Sequence, residues 1–129
     1  IGETNFLPVS VSGSRTEGVS VSSGLVSGQP TALAAEHVST SLTAEGTALL
    51  VRPETISFIE GEPDPKLWTL KGEVEEYFIK GASTQYRVRV AGLPAPVVMD
   101  LPGSIILPAN VGDVVTIGFD PAHAYLLSE

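Results

Sequence analysis

At 129 residues the chain has the length of one ordinary domain, enough to bury roughly two thirds of its unfolded surface. Hydrophobic residues make up 43% and aromatic residues only 6%, so Val, Leu, Ile and Ala must fill most of the core. A net charge of −8 argues against a general affinity for nucleic acid or anionic lipid, since both need clustered cations. The absence of cysteine removes disulfides and thiolate metal sites and is compatible with the cytoplasm. No apolar run approaches the roughly twenty residues of a membrane helix. The chain begins at Ile1, without a methionine or a signal-like segment, so further sequence is expected upstream.

The thirteen glycines and ten prolines punctuate the chain often, which suits short strands joined by turns. In chain order, residues 6–11 and 18–22 alternate apolar and small polar side chains, as half-buried strands do. The one expected helix is 30–37, where Pro30 suits a first helical position and Ala32, Leu33, Ala34 and Ala35 favour helix. Strands are predicted at 47–51 and 55–59, on either side of Arg52-Pro53-Glu54, where Pro53 should interrupt the sheet. Residues 60–67, containing Glu60-Gly61-Glu62-Pro63-Asp64-Pro65, read as a connector between a first β half, 1–59, and a second, 68–129. Further strands are predicted at 70–79, 84–91, 96–101, 114–119 and 124–127, with turns at 80–83, 102–104, 110–113 and 120–121. The expected fold is all-β, a barrel or sandwich of short antiparallel strands with at most one short helix.

Four patterns could carry chemistry. Residues 13–20, GSRTEGVS, echo the glycine spacing of a phosphate loop, but Val19 stands where the lysine must be and Glu17 would repel phosphate, so a hairpin turn is the better reading. His37 and His123, the only imidazoles, share no metal-ligand spacing and are expected on the surface. No GxSxG elbow is present for a nucleophilic serine. Glu73, Glu75 and Glu76 could supply paired acids. As strand residues, however, Glu73 and Glu75 share one face, Glu76 takes the other, and either Glu75 or Glu76 falls opposite Arg87 in a hairpin as a solvated ion pair.

The fourth pattern is GASTQYRVRV, 81–90. Tyr86, Val88 and Val90 should face one way, with Gln85, Arg87 and Arg89 facing the other. Two of the seven cations then lie close to the amides and hydroxyls of Gly81, Ala82, Ser83 and Thr84. This arrangement could hold an anion or contact a partner, and it would serve equally as a solubilising outer face.

Several segments together resemble the C-terminal accessory region of the ATP-binding subunits of bacterial ABC importers, especially the spermidine/putrescine and iron(III) types. IGETNFL at 1–7 resembles the segment leaving the ATPase core, and LLVRPETISF at 49–58 contains the VRPE motif. LKGEVEEYFIKGASTQYRVRV at 70–90 is similar to the strand pair that follows, and VGDVVTIGFDPAHAYLL at 111–127 to the end of the transport-associated OB (TOBE) domain. The TOBE-like motifs thus cover about 47–127.

The resemblance implies that 1–129 is a C-terminal regulatory region folded as oligonucleotide/oligosaccharide-binding-like barrels. ATP, magnesium and the LSGGQ signature would belong to an ATPase domain before residue 1; Val26-Ser27-Gly28-Gln29 echoes that signature only superficially. The region itself would be non-catalytic and hold no cofactor or metal. Its expected partners are a second copy of the same subunit and, through the parent, membrane permease subunits. Neither nucleic acid nor direct membrane insertion is expected, and the location implied is the inner face of the bacterial cytoplasmic membrane. Position by position, the resemblance implies that Arg52, Pro53 and Glu54 shape the junction between halves and that Gly81 shapes the hairpin loop. Gly112 and Asp113 would form the last turn, and Asp120 and Pro121 would end its strand. Gly81, Ser83, Thr84, Arg87 and Arg89 are the candidate ligand or subunit contact. A small-ligand module for an oxyanion or transported solute is the alternative, and a polyamine would prefer the acidic Glu60, Glu62 and Asp64.

Overall fold

A computed structural model describes residues 4–14, 18–38, 47–102 and 109–128. The fold is all-β, as the turn spacing predicts, and OB-like, as the resemblance implies. Eleven strands are described: β1 (Asn5–Pro8), β2 (Ser10–Ser14), β3 (Gly18–Ser22), β4 (Thr31–Leu33), β5 (Thr47–Val51), β6 (Ser57–Phe58), β7 (Trp68–Ile79), β8 (Ser83–Arg89), β9 (Val97–Pro102), β10 (Val114–Phe119) and β11 (Tyr125–Ser128). They form three antiparallel sheets, ordered β1-β5-β11, β6-β10-β7-β8-β9 and β2-β3-β4. Residues 60–66 are exposed between β6 and β7. Strands from both sides of that stretch share sheets, β11 lying on β5 and β6 on β10.

Alternation sets which residues enter the core. On β8, Tyr86 and Val88 point inward while Arg89 points to solvent, and on β5 Leu49 is buried without remainder. Trp68, Tyr86, Leu49, Met99, Ile117 and Leu126 form the centre of one continuous cluster. Few aromatic rings contribute, but they meet edge to face: Trp68 on Phe119 at 6.1 Å and Phe58 on Tyr86 at 5.0 Å between centroids.

Two seams join the β1-β5-β11 and β6-β10-β7-β8-β9 sheets. On one, the chain passes from β5 through a 3-10 turn at Pro53–Thr55 into β6, and that turn packs against β9. On the other, Asn5 of edge strand β1 reaches edge strand β9. Its side-chain oxygen accepts from Val98 N–H at 2.7 Å, and its amide donates to Val98 C=O at 2.8 Å and to Val51 C=O at 3.2 Å. One side chain thereby takes the place of a backbone rung. The β2-β3-β4 sheet is held by a Ser27–Thr69 bridge and by Trp68, whose indole N–H donates to Gln29 C=O at 2.8 Å.

Three local expectations are corrected. The helix predicted over 30–37 is instead strand β4 followed by a 3-10 turn at Ala35–His37, because pairing with β3 lets Leu33 join the buried cluster opposite Val19. A helix of that length had little to set against a sheet bond. The strand predicted over 55–59 shortens to Ser57–Phe58, since the 3-10 turn begun by Pro53 occupies Thr55. His37 is half-buried rather than a surface residue, its Nδ1–H donating to Ala124 C=O at 2.8 Å beside the Val38–Leu126 bridge.

Candidate functional site

The β7–β8 hairpin turns at Lys80-Gly81-Ala82-Ser83, where Lys80 N–H donates to Ser83 C=O at 2.7 Å. Gly81 has φ +73° and the next residue does not share the positive value, the pattern of a type II′ turn that places glycine first. The 80–83 segment is therefore a tight hairpin, with Gly81 shaping its loop as the resemblance implies. Ser83 is half-buried, Thr84 is buried, and Gln85 is also buried, donating to Asp100 Oδ1 at 3.3 Å.

Arg87 and Arg89 do share the outer face, and each meets a glutamate across the hairpin. Arg89 Nη2 donates to Glu73 Oε2 at 2.9 Å, and Arg87 Nε stands 3.3 Å from Glu76 Oε1. This corrects the assignment of faces among the acids. A β-bulge lies between Val74 and Glu76, so Glu75 has no opposite residue on β8 and everything after it is shifted by one. Glu73 and Glu76 therefore share the face of the two arginines. Of the two alternatives left open for Arg87, the partner is Glu76.

The VRPE turn comes to the same end of the molecule. Arg52, Pro53 and Glu54 line an open cleft of about 500 Å³ together with Ala82, Ser83, Asp100, Leu101 and Pro102. Its charged side chains are two carboxylates, Glu54 and Asp100, to one guanidinium, Arg52, a balance unsuited to an anion. Pro53 is buried and fixes the turn, while Arg52 and Glu54 are exposed on either side of it. Arg87 and Arg89 do not line this cleft.

The remaining motif residues are structural. Gly112 has φ +93°, which lets the 110–113 turn bring its N–H to Val74 C=O at 2.8 Å, while Val74 N–H donates to Asp113 C=O at 2.9 Å. Asp113 closes the turn by accepting from Asn110 N–H at 2.8 Å. Asp120 caps a 3-10 turn at Pro121–His123 by accepting from Ala122 N–H at 3.0 Å, and Pro121 is buried there. His123 is exposed, 4.0 Å from Asp120. Among the described residues no cluster of His, Asp and Glu is placed to hold a metal ion, and no helix is long and apolar enough to cross a membrane. The GSRTEGVS segment flanks a hairpin in which Gly13 pairs with Val19, with 15–17 outside the described residues.

These elements, the VRPE turn, the bulged hairpin, the Gly-Asp turn docked on β7 and the Asp-Pro turn before β11, occur in one order over residues 49–127. That is the stretch matched by the family model described as TOBE domain. The chain belongs to the TOBE domain family. A TOBE domain is a non-catalytic accessory unit. No curated protein matches the chain. Outside the matched stretch, the fold also depends on a residue that no sequence pattern singles out, Asn5. Only its place near the start of β1 could have signalled a role, and its partner Val98 lies 93 residues away.

Proposed function

We propose that this TOBE domain is the C-terminal regulatory and assembly region of the ATP-binding subunit of an ABC importer for polyamines or iron, acting through protein contacts. The observation that carries the reading is the order of motifs from VRPE to the Asp-Pro turn, matched over 49–127 and preceded by IGETNFL. In this reading ATP and magnesium are held by an ATPase domain before Ile1. The domain works at the inner face of the bacterial cytoplasmic membrane, beside a second copy of the subunit and the permease subunits, and the 81–89 hairpin belongs to its contact surface.

The competing small-ligand reading, where the ligand is an oxyanion, would need cationic capacity to spare. Each candidate arginine instead faces a glutamate, and the VRPE cleft carries more acid than base. The neutrality of the two arginine–glutamate pairs suits a contact surface, where unpaired charge is costly to bury. The test is the coding sequence immediately upstream of Ile1. It is expected to encode a P-loop ATPase with an LSGGQ signature, and an unrelated domain there removes the importer assignment.

A further inference from the structure

Strand β7 is longer than its partner on one side. β10 pairs with it only from Trp68 to Glu73, and the 110–113 turn caps Val74, so among the described residues no strand pairs with 75–79 on that edge. The side chains there are large and apolar, with Tyr77 40%, Phe78 46% and Ile79 58% exposed, and Val111, in the adjoining turn, 60% exposed. An open strand edge carrying exposed apolar side chains is a template for another strand.

The geometry points to a second copy of this chain as the occupant, with the two β7 edges pairing antiparallel about a two-fold axis at Phe78. Lys80 N–H bonds Ser83 across the hairpin, so its backbone faces β8. By alternation the backbones of Tyr77 and Ile79 face the open edge. A two-fold perpendicular to the sheet keeps each face on its own side, so opposing residues must have the same parity. Centred on Phe78, this places Tyr77 opposite the partner's Ile79 in hydrogen-bonded pairs on the inner face. Phe78 meets the partner's Phe78 in the closer, non-hydrogen-bonded pair on the outer face. The same register sets Glu76 opposite the partner's Lys80, twice by symmetry, which extends the existing Arg87–Glu76 contact into a charge-alternating row. Of the neighbouring registers that also satisfy parity, the one centred on Tyr77 sets Lys80 opposite Val74 and Glu76 opposite Phe78, the one centred on Ile79 sets Phe78 opposite Lys80, and neither has such a complement. The self-complementarity of EYFIK is what favours a copy of this chain over a foreign strand.

The inference deepens the assembly reading, but it stands on the edge itself. The test is sedimentation equilibrium of residues 1–129 at physiological ionic strength, over concentrations up to about 1 mM, the weak end of specific association. A concentration-dependent dimer is expected. Phe78→Glu, which opposes two like charges at the axis, should weaken it at least about tenfold, and Lys80→Glu or Glu76→Lys alone should weaken it too. An equimolar mixture of the Lys80→Glu and Glu76→Lys chains restores opposite charge at both ends and should dimerise where each alone does not. Circular dichroism of every variant checks that it remains folded. A dimer indifferent to all three substitutions overturns this interface and leaves the assembly reading standing. A folded chain monomeric at about 1 mM also overturns it, leaving the edge to a strand of another protein, while the upstream coding sequence still decides the importer assignment.

Discussion

Asn5 does more for the architecture than any motif residue. Its amide replaces a strand's backbone at the seam between β1 and β9, donating to Val51 and Val98 and accepting from Val98. Removing it leaves half-buried donors and acceptors on both sheets without that partner, and such groups are expensive to strand. Asn5→Ala should therefore lower stability by about 2 kcal/mol, read as a lower urea midpoint with an unchanged slope. The residue was illegible beforehand because its role depends on two strand edges meeting 93 positions apart. The half-buried setting of His37 was illegible for a similar reason: its partner is the backbone carbonyl of Ala124, which carries no side-chain signature. The motif residues were legible where local backbone conformation decided the matter, as at Gly81 and Gly112, both with positive φ.

At the scale of elements, the strands after residue 68 were readable because alternation and turn residues agree there. The exception is the bulge at Glu75. Strict alternation from Val74 would turn Tyr77 outward and set Glu76 away from the arginines; the extra residue instead places Tyr77 opposite Tyr86 at 5.5 Å between rings and brings Glu76 to Arg87. Spacing contained a trace of this, since Val74 and Tyr77 are three apart while Val88 and Tyr86 are two apart. The two ion pairs created by the shift differ in environment. Arg89 and Glu73 are 63% and 45% exposed, so a double-mutant cycle with alanine should return a coupling under about 1 kcal/mol, at the value expected for solvated pairs. Arg87, at 28%, is more enclosed, and its cycle with Glu76 should give the larger coupling of the two; equal values would contradict the geometry. Between residues 30 and 37 local propensity favoured helix, and tertiary pairing with β3 overrode it.

For the molecule as a whole, an acidic domain whose two β8 arginines are each met by a glutamate has little means of concentrating anions there. Titration calorimetry with phosphate, sulfate and molybdate is expected to show no saturable heat. A saturable response abolished by Arg87→Ala and Arg89→Ala would instead establish the ligand-binding alternative. Composition and motif order made the all-β class and the TOBE resemblance legible, whereas the sheet partnership of β11 with β5 and of β6 with β10 arises from long-range pairing that no local pattern encodes. The proposed function has this domain govern association without taking part in chemistry. The experiment that decides it is the ATPase activity of the proposed parent subunit shortened to end before Ile1: a folded truncated subunit is predicted to keep intrinsic ATP hydrolysis while its copies associate more weakly. Loss of hydrolysis from a truncated subunit that remains folded and binds nucleotide would contradict it.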